Sequence, residues 1–406
     1  YYNLEIDQAG TKTAQGAVTA NGTLTVQSAA TYDIAATTST VTGASRVIGT
    51  LDIDGSGVFD ANGSFNAGTG NINFSGAGFL KCKSTVLSLG TMNTDAGTVV
   101  YDRTDGGTQT VKPKNYYNLT IDGNGNHTIG NTSPATNILG DLVVNETGST
   151  VFTTHAATVT VTGTTDINGT LSISTGTFNA DEEFDATGGN VTFTDAGALV
   201  LSNTVTDLGT LDDAAGTVVY DGDDAQTVFA DTYYNLTFDG DNTGPKTAGG
   251  IITANGDFMV NLGCERYETS SYLTNVIGST SIATQLKLPN NSSVFDADGT
   301  FDADGATITF GANNSTLRLA TTPTNLGSFS NTTKGKVEYD GGDMNIYAYD
   351  YHDLVIKNGN TKTSLGAINV SGDLTVATST IFDIVTTNVT VTGTTDINGT
   401  LSISTG

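Results

Sequence analysis

Apolar and polar residues alternate in short runs along most of the chain, as in Asn190-Val-Thr-Phe-Thr194 and Val18-Thr-Ala-Asn-Gly-Thr-Leu-Thr-Val26. A period of two sends successive side chains to opposite faces of an extended segment, so these runs predict β-strands with one face inward. The runs are punctuated by Asn21-Gly22, Asn62-Gly63, Asn168-Gly169, Asn255-Gly256, Asp298-Gly299 and Asn398-Gly399, all residues of tight turns. Strands of about five residues with turns this frequent form either hairpins or the coils of a solenoid.

The pattern repeats on a longer scale. Tyr1-Tyr2-Asn3-Leu4, Tyr116-Tyr117-Asn118-Leu119, Tyr233-Tyr234-Asn235-Leu236 and Tyr351-His352-Asp353-Leu354 mark the starts of units spaced by 115, 117 and 118 residues. Gly97-Thr-Val-Val-Tyr-Asp102, Gly216-Thr-Val-Val-Tyr-Asp221 and Gly335-Lys-Val-Glu-Tyr-Asp340 close the units, and Val159–Gly176 is identical to Val389–Gly406. Three full units (1–115, 116–232 and 233–350) and a partial fourth (351–406) are therefore expected. The chain stops inside a repeat, which suggests a window on a longer polypeptide whose next residues resemble Thr177 to Gly197.

Aromatic spacing favours the solenoid. Phe59, Phe65 and Phe74 recur as Phe178, Phe184 and Phe193, then as Phe295, Phe301 and Phe310. In a parallel β-helix such positions stack into interior ladders, coil upon coil at about 4.8 Å. Scarce Pro agrees, because Pro deletes a ladder hydrogen bond in a strand paired on both sides. The expected fold is all-β: one elongated right-handed parallel β-helix, about five coils and so about 25 Å per unit. The alternative is a string of tandem β-sandwich modules, which calls for linkers and, in immunoglobulin-type units, a core Trp that is absent.

Composition narrows the function classes. Of 406 residues 50 are Gly, 5 Pro, 2 Cys and none Trp, and 14% are charged against about 25% in ordinary domains. Forty-two acidic against 15 basic side chains give a net charge of −27, which repels nucleic acid and anionic lipid. No apolar run is long enough to span a bilayer. Two cysteines cannot build a disulfide framework.

The succession Gly216-Thr-Val-Val-Tyr-Asp-Gly222, Gln226-Thr-Val228, Tyr233-Tyr-Asn-Leu-Thr-Phe238 and Ile252-Thr-Ala-Asn-Gly-Asp257, with its counterpart from Gly97 to Ile121, resembles repeats of giant secreted or cell-surface proteins of bacteria, Bacteroidota especially. More loosely the chain is similar to filamentous-haemagglutinin and autotransporter stalks. The resemblance implies an extracellular surface fibre or adhesin stalk, with self-association or cell-surface glycans as partners. It identifies a style of repeat better than an activity.

Candidate chemistry is sparse. A polysaccharide-cleaving or polysaccharide-binding β-helix is the alternative function, and the best acidic pairs for it are Asp212-Asp213 and Asp223-Asp224. Adjacent strand residues face opposite sides, however, and neither pair has a nearby His or Arg, so the chain is expected to be non-catalytic. His127, His155 and His352 show no metal-ligand spacing. Asp296, Asp298, Asp302 and Asp304 offer oxygen ligands for weak calcium binding, with Asp52 and Asp54 a shorter version, and ordinary Asp-Gly turns explain the same spacing equally well. Calcium is thus the one cofactor considered. Cys82 aligns with Leu201 and Leu319 and is expected in the core, whereas Cys264 aligns with Ser149 in a loop. In each Tyr pair one ring is expected to face inward.

Overall fold

Three-residue segments such as Leu24–Val26 bury their first and third side chains and turn the second outward, and this unit of structure recurs throughout. The computed structural model describes residues 1–130, 135–146, 149–241, 243–385 and 388–404. Among these residues there is no helix, and strands of two to six residues pair in parallel. The chain divides into two compact units, Tyr1–Asp212 and Asp213–Gly406, each a parallel β-solenoid, with about 20 turns in the chain as a whole. The boundary falls inside the second sequence repeat rather than at residue 116 or 233.

In the first unit Leu4–Ile6, Gly10–Thr13 and Val18–Ala20 are the three sides of one coil. The next three strands lie directly against them, with Leu4 beside Leu24, Thr11 beside Thr31 and Val18 beside Ser39. A coil is therefore about 20 residues long, and its backbone donors and acceptors are spent on the coils before and after it. Sandwich modules, which are antiparallel, are excluded by this pairing.

The Asn-Gly turns are corners between sides, not hairpin turns. Gly22, Gly43 and Gly63 in the first unit, and Gly256, Gly278 and Gly299 in the second, have no positive φ. They are glycine because they stack. A Cβ on Gly43 would lie 2.5 Å from the Gly22 carbonyl oxygen, and one on Gly278 would lie 2.2 Å from that of Gly256. Any side chain would push the coils apart. At the start of the unit-closing strand the reason differs: Gly97 (φ +80°) and Gly335 (φ +86°) combine a left-handed backbone with contact against the rings of Phe74 and Phe310.

The interior is mostly apolar, but the repeated phenylalanines do not stack on one another as expected: Phe59 lies between Ser39 and Leu80, and Phe178 between Val159 and Leu199. Phe59, Phe65, Phe74, Phe178, Phe184, Phe193, Phe295, Phe301 and Phe310 are all at most 4% exposed. Phe59 and Phe65 meet edge to face at 6.1 Å, and their counterparts Phe295 and Phe301 do so at 6.2 Å. Such pairs add to the burial of each ring.

One expectation is corrected. A repeat does not hold about five whole coils. Among the described residues 17 strands run from Leu4–Ile6 to the one preceding its counterpart Asn118–Ile121, and at three strands per coil that leaves two strands over after five turns. Each repeat therefore begins two sides further round than the last, which is one side short of a full turn. The ten-stranded sheet of the first unit shows the handover: its first five strands come from the third side of repeat one, its last five from the opening positions of repeat two. The junction is the pairing of Thr98–Tyr101 with Asn118–Ile121. In the second unit Lys336–Tyr339 pairs with Asp353–Ile356 in the same way. Equivalent side chains of successive repeats are thus equally buried yet lie in different sheets, as Phe59 and Phe178 do.

Two substitutions test this packing. Phe178→Ala should cost about 3–5 kcal/mol in denaturant unfolding through the cavity it leaves. Gly278→Ala should cost about 1–3 kcal/mol or more by overpacking the corner. A Gly278→Ala protein with a wild-type unfolding midpoint would contradict the close stacking.

Candidate functional site

The repeat markers are positioned by the handover between repeats. The closing strand ends in Tyr101, Tyr220 or Tyr339, and the next marker opens with Tyr116, Tyr233 or Tyr351, all fully buried. Within each pair the hydroxyls lie 3.2, 3.2 and 2.8 Å apart. The first hydroxyl accepts from the backbone N–H of Lys112, Phe229 or Tyr347 at 3.0, 3.0 and 3.2 Å. The second donates to the carbonyl of that same residue, at 2.6 Å for Tyr233 and 2.7 Å for Tyr351, and likewise from Tyr116 to Lys112. Two phenols thereby close a ring of hydrogen bonds around one residue of the connecting segment. Burial raises the pKa of every one of these phenols, that of Tyr220 to about 12.

The third marker residue works on the outside. Asn3, Asn118, Asn235 and Asp353 each accept, through a side-chain oxygen, the backbone N–H of the next coil's corner at 2.8–2.9 Å. The second tyrosine is the surface one: Tyr117 and Tyr234 are each 39% exposed. Tyr1 and Tyr2 are both exposed, and His352 places Nδ1 3.2 Å from the Ser371 hydroxyl. The inward tyrosine of each later marker therefore locks the handover, while Tyr1 and Tyr2 of the first marker both lie outside, against the expectation of one inward ring in each pair. The sequence announced the markers, but only the fold shows that tyrosines 12 to 15 residues apart are partners.

A second internal feature recurs one strand further on, where the inward position is basic. Lys246 and Lys362 are completely buried. The Lys246 ammonium donates to the carbonyls of Gly222 and Asp224, and the Lys362 ammonium to those of Gly341 and Gly359. Lys12, at the corresponding place in the first repeat, donates to the carbonyls of Gln8, Ala9 and Gly10. Burial lowers the pKa of both buried lysines. Nothing in the alternation of strands announces a charged residue on the inward side.

The acidic candidates are dispersed. Asp296 and Asp302 lie in different sheets, because the Asp298-Gly299 corner separates their strands. Asp296 accepts from Arg318 at 3.2 Å, Asp302 from the backbone N–H of Asp304 at 3.1 Å, and Asp304 from Asn325 at 2.9 Å. The pKa of Asp298 is raised by its partial burial and by Asp296. In the shorter motif Asp52 accepts from Asn73 at 2.8 Å. Among the described residues no three His, Cys, Asp or Glu side chains converge on a metal position. Asp213 accepts from Asn255 at 3.2 Å, and the carboxylates of Asp223 and Asp224 are exposed while their carbonyls receive Thr243 and Lys246.

Cys82 and Cys264 are free and buried, and burial raises both thiol pKa values, that of Cys264 to about 11. Among the described residues no helix is long and apolar enough to cross a membrane. A groove of about 320 Å³ in the second unit is lined by Thr332, Asp350, Asn369, Ser371, Thr390 and Thr392 among others. Asp350 there accepts from Asn369 at 2.6 Å, and Ser371 donates to the Thr332 carbonyl at 2.9 Å. These hydroxyl and amide groups can hydrogen-bond a polar ligand.

The phenol ring sets a pH limit. An unfolded tyrosine ionises near pH 10 and a buried one later, so the stabilisation is complete below pH 10 and is lost as pH rises above it. Thermal unfolding between pH 8 and 11.5 should show a steep fall beginning near pH 10. Tyr220→Phe should cost about 1–3 kcal/mol at pH 7, since the Phe229 N–H loses its acceptor. An unfolding temperature that is flat across that range would contradict the role given to the phenols.

Comparison with known proteins finds no matching family model, no matching curated protein and no matching solved structure.

Proposed function

We propose that the chain is a structural, non-catalytic segment of an extracellular surface fibre or adhesin stalk. The observation that carries this reading is the third-of-a-turn offset of each repeat. A surface side chain that occurs once per repeat moves to another side of the coil in the next one, so repetition builds no continuous binding face. What the repeats preserve is internal: the phenol rings, the buried phenylalanines and the stacked corner glycines. Repetition of this kind lengthens a scaffold. The net charge of −27 keeps such a scaffold soluble and disfavours lateral association.

The resemblance to giant surface proteins of bacteria supports the location and the fibre role. The polysaccharide-binding alternative draws on one feature, the polar groove of the second unit with Asp350 and Asn369. Weak calcium binding at Asp296, Asp298, Asp302 and Asp304 is a separate proposal, with calorimetric titration as its measure.

Two measurements decide between the readings. Antibodies against the purified chain should label intact cells of the source organism, and labelling only after lysis would refute the surface location. Incubation with plant and bacterial polysaccharides should yield no reducing ends. Turnover abolished by Asp350→Asn would establish the alternative instead.

A further inference from the structure

The inward basic position differs in kind in the second repeat, where it is His127. Its strand Gly125–Ile129 lies between Thr108–Val111 and Thr150–Thr154, so that the inward ladder reads Gln109, His127, Phe152. The counterparts are Gln226, Lys246, Tyr267 and Met344, Lys362, Phe382. In those two the lysine reaches the carbonyls of the preceding corner. Imidazole is shorter. Its corner is served by Arg103, whose guanidinium donates to the Thr108 carbonyl at 3.0 Å and pairs with Asp105, while the Arg103 carbonyl receives Asn124.

His127 is left 0% exposed with neither ring nitrogen hydrogen-bonded among the described residues. The backbone of Gly125 and Val151 lies alongside without reaching hydrogen-bonding geometry. Above it the Gln109 amide donates to the carbonyls of Cys82 and Ser84, at 2.7 and 2.6 Å, and its own oxygen is also unpartnered. Below it Phe152 offers nothing polar. This is the one place among the four basic positions where the cation has no cage.

We propose that His127 makes the second repeat the acid-sensitive joint of the first unit, stable with a neutral imidazole and opened locally when mild acid protonates it. The adjoining strands Thr108–Val111 and Thr150–Thr154 carry no titratable side chain. Around them stand Asp102, Arg103, Asp105 and Asp122 at the corners, Glu146 and His155 flanking the following strand, and Cys82, Tyr101 and Tyr116 across the interior. Desolvation, the largest influence, lowers the His127 pKa; the backbone of Gly125 and Val151 and then Asp122 oppose it, and Arg103 adds to it. Cys82, Tyr101 and Tyr116 are held protonated by burial and contribute no countercharge. The opened coil takes up the proton before the closed one, so stability is retained above the ordinary His value of about 6.5 and falls as pH drops below it.

Hydrogen exchange of the full 406-residue protein at pH 7.5 and 5.5, corrected for intrinsic rates, tests this. Opening of residues 108–130 should rise up to about tenfold at pH 5.5, the ceiling set by an ordinary His one unit above that pH. Residues 226–268, with Lys246 at the same position, should stay constant, and His127→Gln should abolish the rise. If that variant misfolds, the imidazole resonances of the wild type replace it, and His127 should remain neutral at pH 6 in the closed state. A rise that persists in His127→Gln, one shared equally by residues 226–268, or a closed-state His127 already protonated at pH 6 would each overturn the proposal.

Discussion

Everything in this protein depends on one constraint, the close stacking of each coil on the one before it. Parallel strands sit about 4.8 Å apart, and the corners must keep the same spacing as the sides. Where a corner turns tightly only a hydrogen atom fits, which is why Gly22, Gly43 and Gly63 follow one another up one edge of the first unit, and Gly256, Gly278 and Gly299 do the same in the second. The constraint also fixes the interior. A side chain pointing inward meets the inward side chains one coil up and one coil down, so large rings such as Phe59 and Phe184 stack against smaller neighbours, Ser39 and Leu80 for the first and Thr165 and Val205 for the second.

Stacking of this kind tolerates any repeat length that is a whole number of strands. Because each of the first two repeats holds 17 strands and the coil three, the two periods disagree, and each repeat begins on the side that carries the closing strand of the one before. That junction joins strands of different origin, as Thr98–Tyr101 and Asn118–Ile121 do. It also carries a buried polar network common to the repeats. A connecting segment that enters the interior brings a backbone N–H and a carbonyl with it, and leaving these unpaired would cost more than the hydrogen bonds contribute. Two tyrosine hydroxyls satisfy both.

The buried basic residues follow the same logic with a charge. Lys246 and Lys362 are tolerated because corner carbonyls, already converging, replace the water that their ammonium groups lose. His127 shows the limit of the arrangement, since a ring too short to reach the carbonyls is burial without compensation.

Period-two alternation, the Asn-Gly and Asp-Gly punctuation and the recurrence of Phe at matching places determined by themselves an all-β solenoid with a phenylalanine interior, because burial of one strand face is a local property of the pattern. The repeat markers were equally visible. Their roles were not, because they depend on what faces what across the coil. Tyr220 and Tyr233 become partners only when 13 residues wind through a corner, and Asp296 and Asp302 part company only because a corner turns between them. The third-of-a-turn offset was likewise hidden: residue spacing counts along the chain, whereas the side on which a residue emerges is set by the number of strands per coil, a quantity that closure of the coil alone decides.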